Sequence, residues 1–223
     1  MNEWNAMKIF IDSGNLREIE LLVPLGIIDG VTTNPSLLAR ESGDPRAIVK
    51  QICQAVLGPV SAEVVATEAA GMIAEGRELA AIDEHVVVKV PFTREGVKAT
   101  RVLFDEGIRV NVTLIFTAPQ ALIAAKVGAA YVSPFVGRLD DIASDGMGLI
   151  RQIVDVFSHY DYGTEVLVAS VRHPIHIIEA ARMGADVATA PAAVIEHCFK
   201  HPLTDIGLER FIKDWEKAQA AKV

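Results

Sequence analysis

Short apolar runs alternate with amphipathic segments along nearly the whole chain. Runs of about four to eight residues, several of them rich in valine, are typical of strands that are buried on both faces. They fall at 8–12, 27–33, 60–66, 85–91, 108–115, 130–133, 165–170 and 186–190. Helical stripes lie between them, such as Ile48, Ile52 and Val56, which repeat every four residues. The pattern therefore predicts strands and helices in strict alternation.

This alternation predicts eight strand–helix units without hairpin turns between the strands. Parallel strands joined by right-handed crossovers are the arrangement that it favours. Eight units in 223 residues predict an α/β protein, a single (β/α)8 TIM barrel, over residues 7–203. An open doubly wound sheet is the competing topology, but Asp12-Ser13-Gly14-Asn15 lacks the GxGxxG phosphate turn expected there.

The two ends of the chain stand apart from this repeat. Residues 1–6 are interpreted as a short N-terminal extension, because they lack the basic and apolar regions of a signal peptide. Residues 204–223 are expected to form an extra C-terminal helix. One face of it carries Leu208, Phe211, Ile212 and Trp215. Packing against the barrel would account for some of these apolar side chains, and a subunit interface would account for the others.

Composition and charge narrow the function classes. The formal net charge is −8, so the chain lacks the basic surface that nucleic-acid binding needs. No apolar run approaches the roughly 20 residues that span a membrane. Cys53 and Cys198 are far apart and outside any CxxC pattern, which favours reduced thiols in a cytoplasmic protein. We expect neither nucleic acid nor a membrane as a partner.

A metal site is not expected from the sequence. His173 and His176 have ligand-like spacing, but Pro174 between them indicates a loop or a first helical turn. No carboxylate or cysteine completes a ligand set beside them.

Lys89 interrupts the valine run His85-Val86-Val87-Val88-Lys89-Val90-Pro91. An ammonium group is costly to bury without a partner, so a lysine in such a strand tends to lose its proton. A neutral amine is a nucleophile for a carbonyl carbon, which suggests a Schiff-base lysine. The alternative is a lysine at a strand end that reaches water or pairs with a carboxylate.

Other predicted strands also carry polar residues near their C-terminal ends, where the chemistry of such barrels lies. These residues are Asp12, Asn34, Glu63, Asn111, Thr113, Ser133 and Ser170, with Thr189 on the last strand. Each alone could be a helix cap or an ordinary strand hydroxyl. So many of them at one rim favour catalysis.

Two arginines follow the sixth and seventh strands. Arg138 and Arg172 each come shortly after a serine, and planar guanidinium groups hold phosphate well. The alternative is that they are surface arginines paired with Asp140 and Asp141. Both arginines at adjacent strand ends favour phosphate.

Five motifs together resemble those of the short transaldolases, the barrel-only branch of a family that also includes fructose-6-phosphate aldolases. They are Phe10-Ile11-Asp12, Gly30-Val31-Thr32-Thr33-Asn34-Pro35-Ser36, Val87-Val88-Lys89-Val90-Pro91, Asn111-Val112-Thr113-Leu114 and Tyr131-Val132-Ser133-Pro134-Phe135-Val136-Gly137-Arg138. The resemblance covers Met7 to about Trp215. It implies transfer of a dihydroxyacetone unit from sedoheptulose 7-phosphate or fructose 6-phosphate to glyceraldehyde 3-phosphate or erythrose 4-phosphate, without a cofactor, in the non-oxidative pentose phosphate pathway.

The resemblance also implies residue roles. Lys89 would form the Schiff base, and Asp12 would take the C4 hydroxyl proton during carbon–carbon cleavage. Glu63 would act as acid and base through a water that Thr113 orients. Substrate binding would fall to Asn34, Asn111, Ser133, Phe135, Arg138, Ser170 and Arg172.

Two positions distinguish the branches of the family. The aldolase branch has glutamine in place of Glu63 and tyrosine in place of Phe135, and a tyrosine hydroxyl can protonate the enamine and release dihydroxyacetone. Phe135 cannot, so the pair favours transfer. A fructose-6-phosphate aldolase and a non-catalytic sugar-phosphate-binding barrel are the alternatives. The resemblance further implies a ring-like homo-oligomer, commonly a homodecamer of two pentameric rings.

Overall fold

The computed structural model describes residues 6–221 and contains a closed barrel of eight parallel strands. The strands are β1 (Lys8–Asp12), β2 (Gly30–Thr32), β3 (Val60–Glu63), β4 (Val86–Pro91), β5 (Val110–Ile115), β6 (Tyr131–Pro134), β7 (Glu165–Val168) and β8 (Val187–Ala190). Each strand pairs with the next along the chain, and β8 pairs with β1. The predicted (β/α)8 barrel is confirmed.

Helices follow the strands and cover the outside of the barrel. They are α1 (Leu16–Leu22), α2 (Pro35–Leu38), α3 (Pro45–Val56), α4 (Ala69–Ala80), α5 (Arg94–Asp105), α6 (Ala118–Lys126), α7 (Val136–Asp140), α8 (Gly146–Phe157), α9 (Pro174–Met183), α10 (Ala192–His197) and α11 (Pro202–Ala220). Side chains of Asn15, Thr93 and Asp145 accept backbone N–H groups at the starts of α1, α5 and α8. These polar N-caps set where the helices begin.

Two apolar layers lie on the two sides of the sheet. Successive strand residues point to opposite faces, and one set fills the barrel interior: Phe10, Val87, Tyr131, Leu167 and Val187. The residues between them form the larger core under the helices. Because both faces are buried, the strands appear in the sequence as continuous apolar runs rather than as alternating ones.

The interior apolar layer also determines which side chains lie at the C-terminal end of the barrel. A residue two positions further along a strand points to the same face. Moving two positions from Phe10, Val87, Tyr131 and Val187 leads to Asp12, Lys89, Ser133 and Thr189. The strand register therefore brings these polar side chains to the C-terminal mouth of the barrel.

Several strands are shorter than the hydrophobic pattern predicts, and the difference is largest for β2 and β3. The run at 27–33 gives only Gly30–Thr32, and the run at 60–66 ends at Glu63. The Glu75 carboxylate accepts the backbone N–H groups of Val65 and Ala66, at 2.7 and 3.1 Å. Because α4 satisfies these donors, the chain leaves the sheet, and Glu63 ends its strand instead of lying in the middle of it.

The C-terminal helix begins at Pro202, two residues before the predicted start. None of its residues is buried. Of the predicted extension at 1–6, only Ala6 lies within the described residues, and residues 222–223 also lie outside them. In the part of the chain that the structure describes, no helix combines the length and apolarity needed to cross a membrane.

Candidate active site

A cavity of about 190 Å³ opens at the C-terminal ends of the strands. Most of the residues that the sequence indicated line it: Asp12, Asn34, Lys89, Ser133, Phe135, Arg138, Ser170 and Arg172. Thr32, Ala169 and Thr189 complete the lining. Three expected residues, Glu63, Asn111 and Thr113, are outside the lining. Glu63 contacts the lining residue Lys89, and Asn111 contacts the lining residue Ser133.

Lys89 is buried at the mouth of the barrel, with 4% of its surface exposed. Its Nζ lies 3.0 Å from Glu63 Oε2 and donates to the Thr33 carbonyl oxygen at 3.1 Å. The register of β3 and β4 places Glu63 directly opposite Lys89. The structure thus gives the lysine a carboxylate partner, as the alternative interpretation predicts. That partner is also an acceptor for the proton that the amine must lose before it attacks a carbonyl.

Asp12 is held by a chain of hydroxyl groups across the first, second and eighth strands. Thr32 Oγ1 donates to Asp12 Oδ1 at 2.7 Å and lies 2.6 Å from Thr189 Oγ1. Burial raises the pKa of the Asp12 carboxyl, against the opposing effects of the Thr32 hydrogen bond and the charge of Lys89. A carboxyl of this kind holds its proton at higher pH than usual, which suits proton transfer.

Thr32 was not among the expected site residues, and Thr189 was expected at the rim but given no role. Thr32 lies within the Thr32-Thr33-Asn34-Pro35 motif and Thr189 follows Val187 by two positions on the same face of β8. That inward position was the signal that could have given Thr189 a contact with Thr32 and Asp12.

Asn111 connects three strands below the cavity. Ser133 Oγ donates to its Oδ1 at 2.7 Å, and its Nδ2 donates to Ser61 Oγ at 3.1 Å. Asn111 is fully buried, so it can meet a ligand only from within the barrel mouth. Asn34 uses Oδ1 to cap α2 through the Leu37 N–H at 2.9 Å, and its amide nitrogen makes no hydrogen bond among the described residues.

Thr113 has a buried hydroxyl that finds no hydrogen-bond partner within residues 6–221. The register of β5 shifts between Val112 and Ile115, and Leu114 adopts a left-handed φ of 59°. Such an irregularity re-aims neighbouring side chains. A buried polar group without a partner costs roughly 1–3 kcal/mol, so this hydroxyl is a site for a polar ligand.

The two arginines lie on adjoining segments. Gly137 N–H donates to the Ser170 carbonyl at 3.1 Å, which ties α7 to the end of β7. Ser170 has a φ of 59°, a conformation that costs a non-glycine residue about 1 kcal/mol or more. Arg138 Cζ lies 5.6 Å from the centre of the Phe135 ring. Ser170, Arg138 and Arg172 all line the cavity.

The alternative of surface arginines paired with Asp140 and Asp141 is correct for Arg172 and wrong for Arg138. Arg172 pairs with Asp141 at 2.7 Å, and Asp140 lies 3.1 Å from His176. Among residues 6–221, no carboxylate lies within ion-pair distance of Arg138. Its positive charge is therefore free for an anionic ligand.

The described residues contain no group of three His, Cys, Asp or Glu side chains that could hold a metal ion. His173 and His176 stack with ring centres 3.9 Å apart, and His176 binds a carboxylate and a backbone N–H instead. Cys53 and Cys198 are both free thiols. Burial raises the pKa of Cys53 to about 12, so it is a poor nucleophile.

The fold and the cavity define a (β/α)8-barrel protein with a buried lysine–carboxylate pair at its C-terminal mouth. A profile of the transaldolase/fructose-6-phosphate aldolase family matches residues 9–222. The chain belongs to this family.

Similar curated proteins extend over the same length. A probable transaldolase of Desulfosudis oleivorans is 56% identical over 213 residues, covering 96% of this chain and 100% of that protein. A probable transaldolase of Methanococcus maripaludis is 59% identical over 210 residues, covering 94% and 98%. One of Caldicellulosiruptor saccharolyticus is 59% identical over 212 residues, covering 95% and 98%. The chain is therefore an enzyme of the transaldolase/aldolase family.

Proposed function

We propose that the protein is a transaldolase that acts in the cytoplasm, in the non-oxidative pentose phosphate pathway. It moves a dihydroxyacetone unit from sedoheptulose 7-phosphate or fructose 6-phosphate to glyceraldehyde 3-phosphate or erythrose 4-phosphate. The observation that carries the proposal is the Lys89–Glu63 pair, 3.0 Å apart, beside a cavity that also presents Asp12 and two arginines. These are the groups that imine formation, proton transfer and phosphate binding require.

The first step is imine formation at Lys89. Glu63 takes a proton from Nζ, and the free amine attacks the C2 carbonyl of the ketose. The carbinolamine then loses its hydroxyl as water, with a proton returned by Glu63, and a protonated imine remains. The unpartnered hydroxyl of Thr113 supports a role in orienting the water that carries these protons.

The second step is carbon–carbon cleavage. Asp12 accepts the C4 hydroxyl proton, the C3–C4 electron pair moves into the protonated imine, and the aldose leaves as an aldehyde. The product on Lys89 is a neutral enamine rather than an unstabilised carbanion. Attack of the enamine carbon on an acceptor aldehyde, with return of the proton from Asp12, completes transfer before hydrolysis frees the lysine.

Arg138, Arg172 and Ser170 bind the phosphate of the sugar in this proposal. The net charge of −8 repels anions at long range, so local cations must supply the attraction. Arg138 has no acidic partner among residues 6–221, and the Arg172–Asp141 pair is half exposed and therefore easily exchanged for a phosphate. Asn34, Asn111 and Ser133 would bind the hydroxyls of the dihydroxyacetone unit.

Phe135 supports transfer over release of free dihydroxyacetone. It lines the cavity, and its ring has no proton to give to the enamine. A fructose-6-phosphate aldolase is the alternative, because the family contains both activities.

Borohydride trapping tests the imine, and a coupled assay tests its fate. Borohydride with fructose 6-phosphate should give a stable adduct, located at Lys89 by peptide mass analysis. In the coupled assay, run without borohydride, fructose 6-phosphate should be consumed only when erythrose 4-phosphate is present. Absence of the adduct would exclude the Schiff-base mechanism, whereas release of dihydroxyacetone without an acceptor would identify an aldolase.

We also propose that the protein is a ring-like homo-oligomer, commonly a homodecamer in this family, in which a second copy covers α11. Leu208, Phe211, Ile212 and Trp215 lie on one face of this helix and are 50–72% exposed. Nothing in the described part of the barrel buries them, and burial of such side chains is worth roughly 1.5–3 kcal/mol each.

Light scattering tests the assembly. Phe211→Glu should dissociate it, whereas Lys217→Gln, an equal charge change on the opposite face, should leave it intact. A monomeric wild-type protein would contradict this proposal.

A further inference from the structure

The buried imidazole of His176 connects the two segments that carry the cavity arginines. It lies in the first turn of α9, with 5% of its surface exposed. Its Nδ1 accepts the backbone N–H of Arg172 at 3.3 Å, and its Nε2 lies 3.1 Å from Asp140 Oδ2. Asp140 ends α7, the helix that contains Arg138. One ring thus joins the Arg172 backbone to the Arg138 helix.

Asp140 extends this connection to the next helix. Its Oδ1 accepts the Gly146 N–H at the start of α8, at 3.1 Å. The carboxylate therefore uses one oxygen for α8 and the other for His176. A side chain at position 140 without two acceptor oxygens could not satisfy both.

The contacts of His176 determine its tautomer. Because Nδ1 accepts a hydrogen bond, the proton of the neutral ring is on Nε2, which donates to Asp140. Burial, followed by the nearby His173, lowers the pKa of His176, while Asp140 and Glu179 oppose this shift. The ring is therefore neutral at neutral pH. In the protonated ring both nitrogens are donors, and Nδ1 would face the Arg172 N–H without an acceptor.

Two buried backbone hydrogen bonds, from the Val136 N–H to the Ala169 carbonyl at 3.0 Å and from the Gly137 N–H to the Ser170 carbonyl at 3.1 Å, tie the residues before Arg172 to α7. The Arg172–Asp141 ion pair joins side chains that are 51% and 56% exposed, and such pairs contribute little to fixing a loop. The Gly137–Ser170 hydrogen bond lies on the other side of Arg172 and does not include it. Among the described residues, His176 is the side chain that hydrogen-bonds the Arg172 backbone itself.

We propose that His176 is a positioning residue that holds Arg138 and Arg172 at the spacing required to bind a phosphate group, and that protonation of its ring releases this hold. The inference rests on the proposed role of the two arginines in phosphate binding. His176 is not part of the cavity lining and acts through Asp140 and the Arg172 backbone.

Sulfate binding by the full chain tests the inference without catalysis. Sulfate resembles the phosphate group but keeps its charge between pH 7 and 5, so a pH dependence reports on the protein. In His176→Gln the amide nitrogen can take the place of Nε2 and donate to Asp140, but no atom of the side chain then lies at the Nδ1 position to accept the Arg172 N–H. We expect calorimetry to show sulfate affinity weakened about tenfold in this variant. The wild-type affinity should fall with pH over this range, and that of the variant should not.

Two further variants keep the test decisive. His159→Gln, at an exposed histidine after α8, should bind sulfate as the wild type does. Asp140→Asn leaves a single acceptor oxygen, which can serve Gly146 or His176 but not both, and should weaken sulfate about as much as His176→Gln. If His176→Gln does not fold, the sulfate affinity of Asp140→Asn tests the inference in its place.

The split between kinetic constants separates positioning from general damage. His176→Gln should raise the KM for fructose 6-phosphate about tenfold while kcat changes less than about threefold. Suppose that the Arg138→Gln, Arg172→Gln double variant does not bind sulfate, but a folded His176→Gln protein binds it as tightly as the wild type. The positioning role of His176 is then wrong, and the phosphate site at the two arginines stands. If the double arginine variant also binds sulfate as the wild type does, the assignment of the two arginines to phosphate binding and the positioning role of His176 are both wrong.

Discussion

Glu63 and Lys89 are direct neighbours on β3 and β4, and their side chains form an ion pair with Nζ 3.0 Å from Oε2. The side chains are only 15% and 6% exposed. The cost of burying the two charges is offset only while both are present. The pair that the proposed chemistry uses is therefore also a structural requirement of the barrel mouth.

Replacing Lys89 should destabilise the fold because it leaves the Glu63 carboxylate buried and unpaired. We expect Lys89→Met to lower the free energy of unfolding by about 3 kcal/mol, measured by urea denaturation. Adding Glu63→Gln should recover much of that loss. Lys98→Met, at an exposed lysine paired with Glu95, should change stability little. A Lys89→Met protein as stable as the wild type would show that the pair is not a true buried ion pair.

The barrel and much of its cavity could be predicted from local sequence. Each strand appears as an apolar run, and the two-residue period then places Asp12, Lys89 and Ser133 on the inward face. These features depend only on near neighbours in the chain. For that reason the lysine, the carboxylates and the arginines could be identified without coordinates.

Contacts made by barrel closure could not be predicted in this way. Thr189 meets Thr32 only because β8 returns to β1, 157 positions along the chain. Likewise, the Glu75 carboxylate ends β3 from a helix that follows it. His176 was considered only as a metal ligand, because nothing local shows that Asp140 and the Arg172 N–H meet its ring.

Thr113→Val separates a functional hydroxyl from a structural one. The Thr113 hydroxyl has no partner among the described residues, so its loss should leave the free energy of unfolding unchanged or raise it by up to about 1 kcal/mol. Imine formation, followed by borohydride trapping, should slow about tenfold or more.

Thr100→Val is the matched control for this change. Thr100 is equally buried, but its hydroxyl donates to the Gly96 carbonyl at 2.8 Å. Its replacement should cost about 1 kcal/mol and leave imine formation unchanged. Equal destabilisation in both variants would show that Thr113 has a structural role instead.

Asp12→Asn should stabilise the protein while removing its activity. Burial raises the pKa of Asp12 in the folded state, so ionisation costs the folded protein free energy that the unfolded chain does not lose. This penalty is absent below about pH 4, the ordinary value for aspartate, and complete above the raised pKa. The variant should therefore unfold at higher temperature than the wild type at pH 7, with a difference that vanishes as the pH falls.

The activity of Asp12→Asn should fall by roughly 10²- to 10⁴-fold, since the amide cannot accept the hydroxyl proton. Asp155→Asn, at an exposed aspartate of α8, should change neither the melting temperature nor the rate. A stability difference that grows toward low pH would contradict the sign of the Asp12 shift.

Gly137→Ala should damage phosphate binding through packing alone. A Cβ at this position would collide with the Ser170 carbonyl oxygen and lie 2.6 Å from Arg172 Nε. Because the obstacle includes backbone, the Arg172 segment must move. We expect the KM for fructose 6-phosphate to rise about tenfold. Gly163→Ala, where a Cβ meets nothing within 4 Å, should leave KM unchanged, and an unchanged KM in both variants would refute the assignment of Arg172 to the phosphate.

Phe135→Tyr tests why the enamine is transferred rather than released. The Phe135 ring lines the cavity and packs edge-to-face on Phe116, with ring centres 5.9 Å apart. A tyrosine in the same position would bring a hydroxyl proton to the cavity, and proton transfer from a placed acid accelerates a step by roughly 10²-fold or more. Free dihydroxyacetone formed from fructose 6-phosphate without an acceptor should therefore increase, and transfer to erythrose 4-phosphate should decrease.

Phe116→Tyr is the control for this exchange. Its ring contacts Phe135 but is not part of the cavity lining, so the added hydroxyl has no route to the enamine and the ratio of release to transfer should stay at the wild-type value. The ratio is measured with the two products assayed in one reaction mixture, which removes differences in enzyme concentration. An unchanged ratio in Phe135→Tyr would mean that exclusion of water or closure of the cavity protects the enamine, rather than the missing proton donor at position 135.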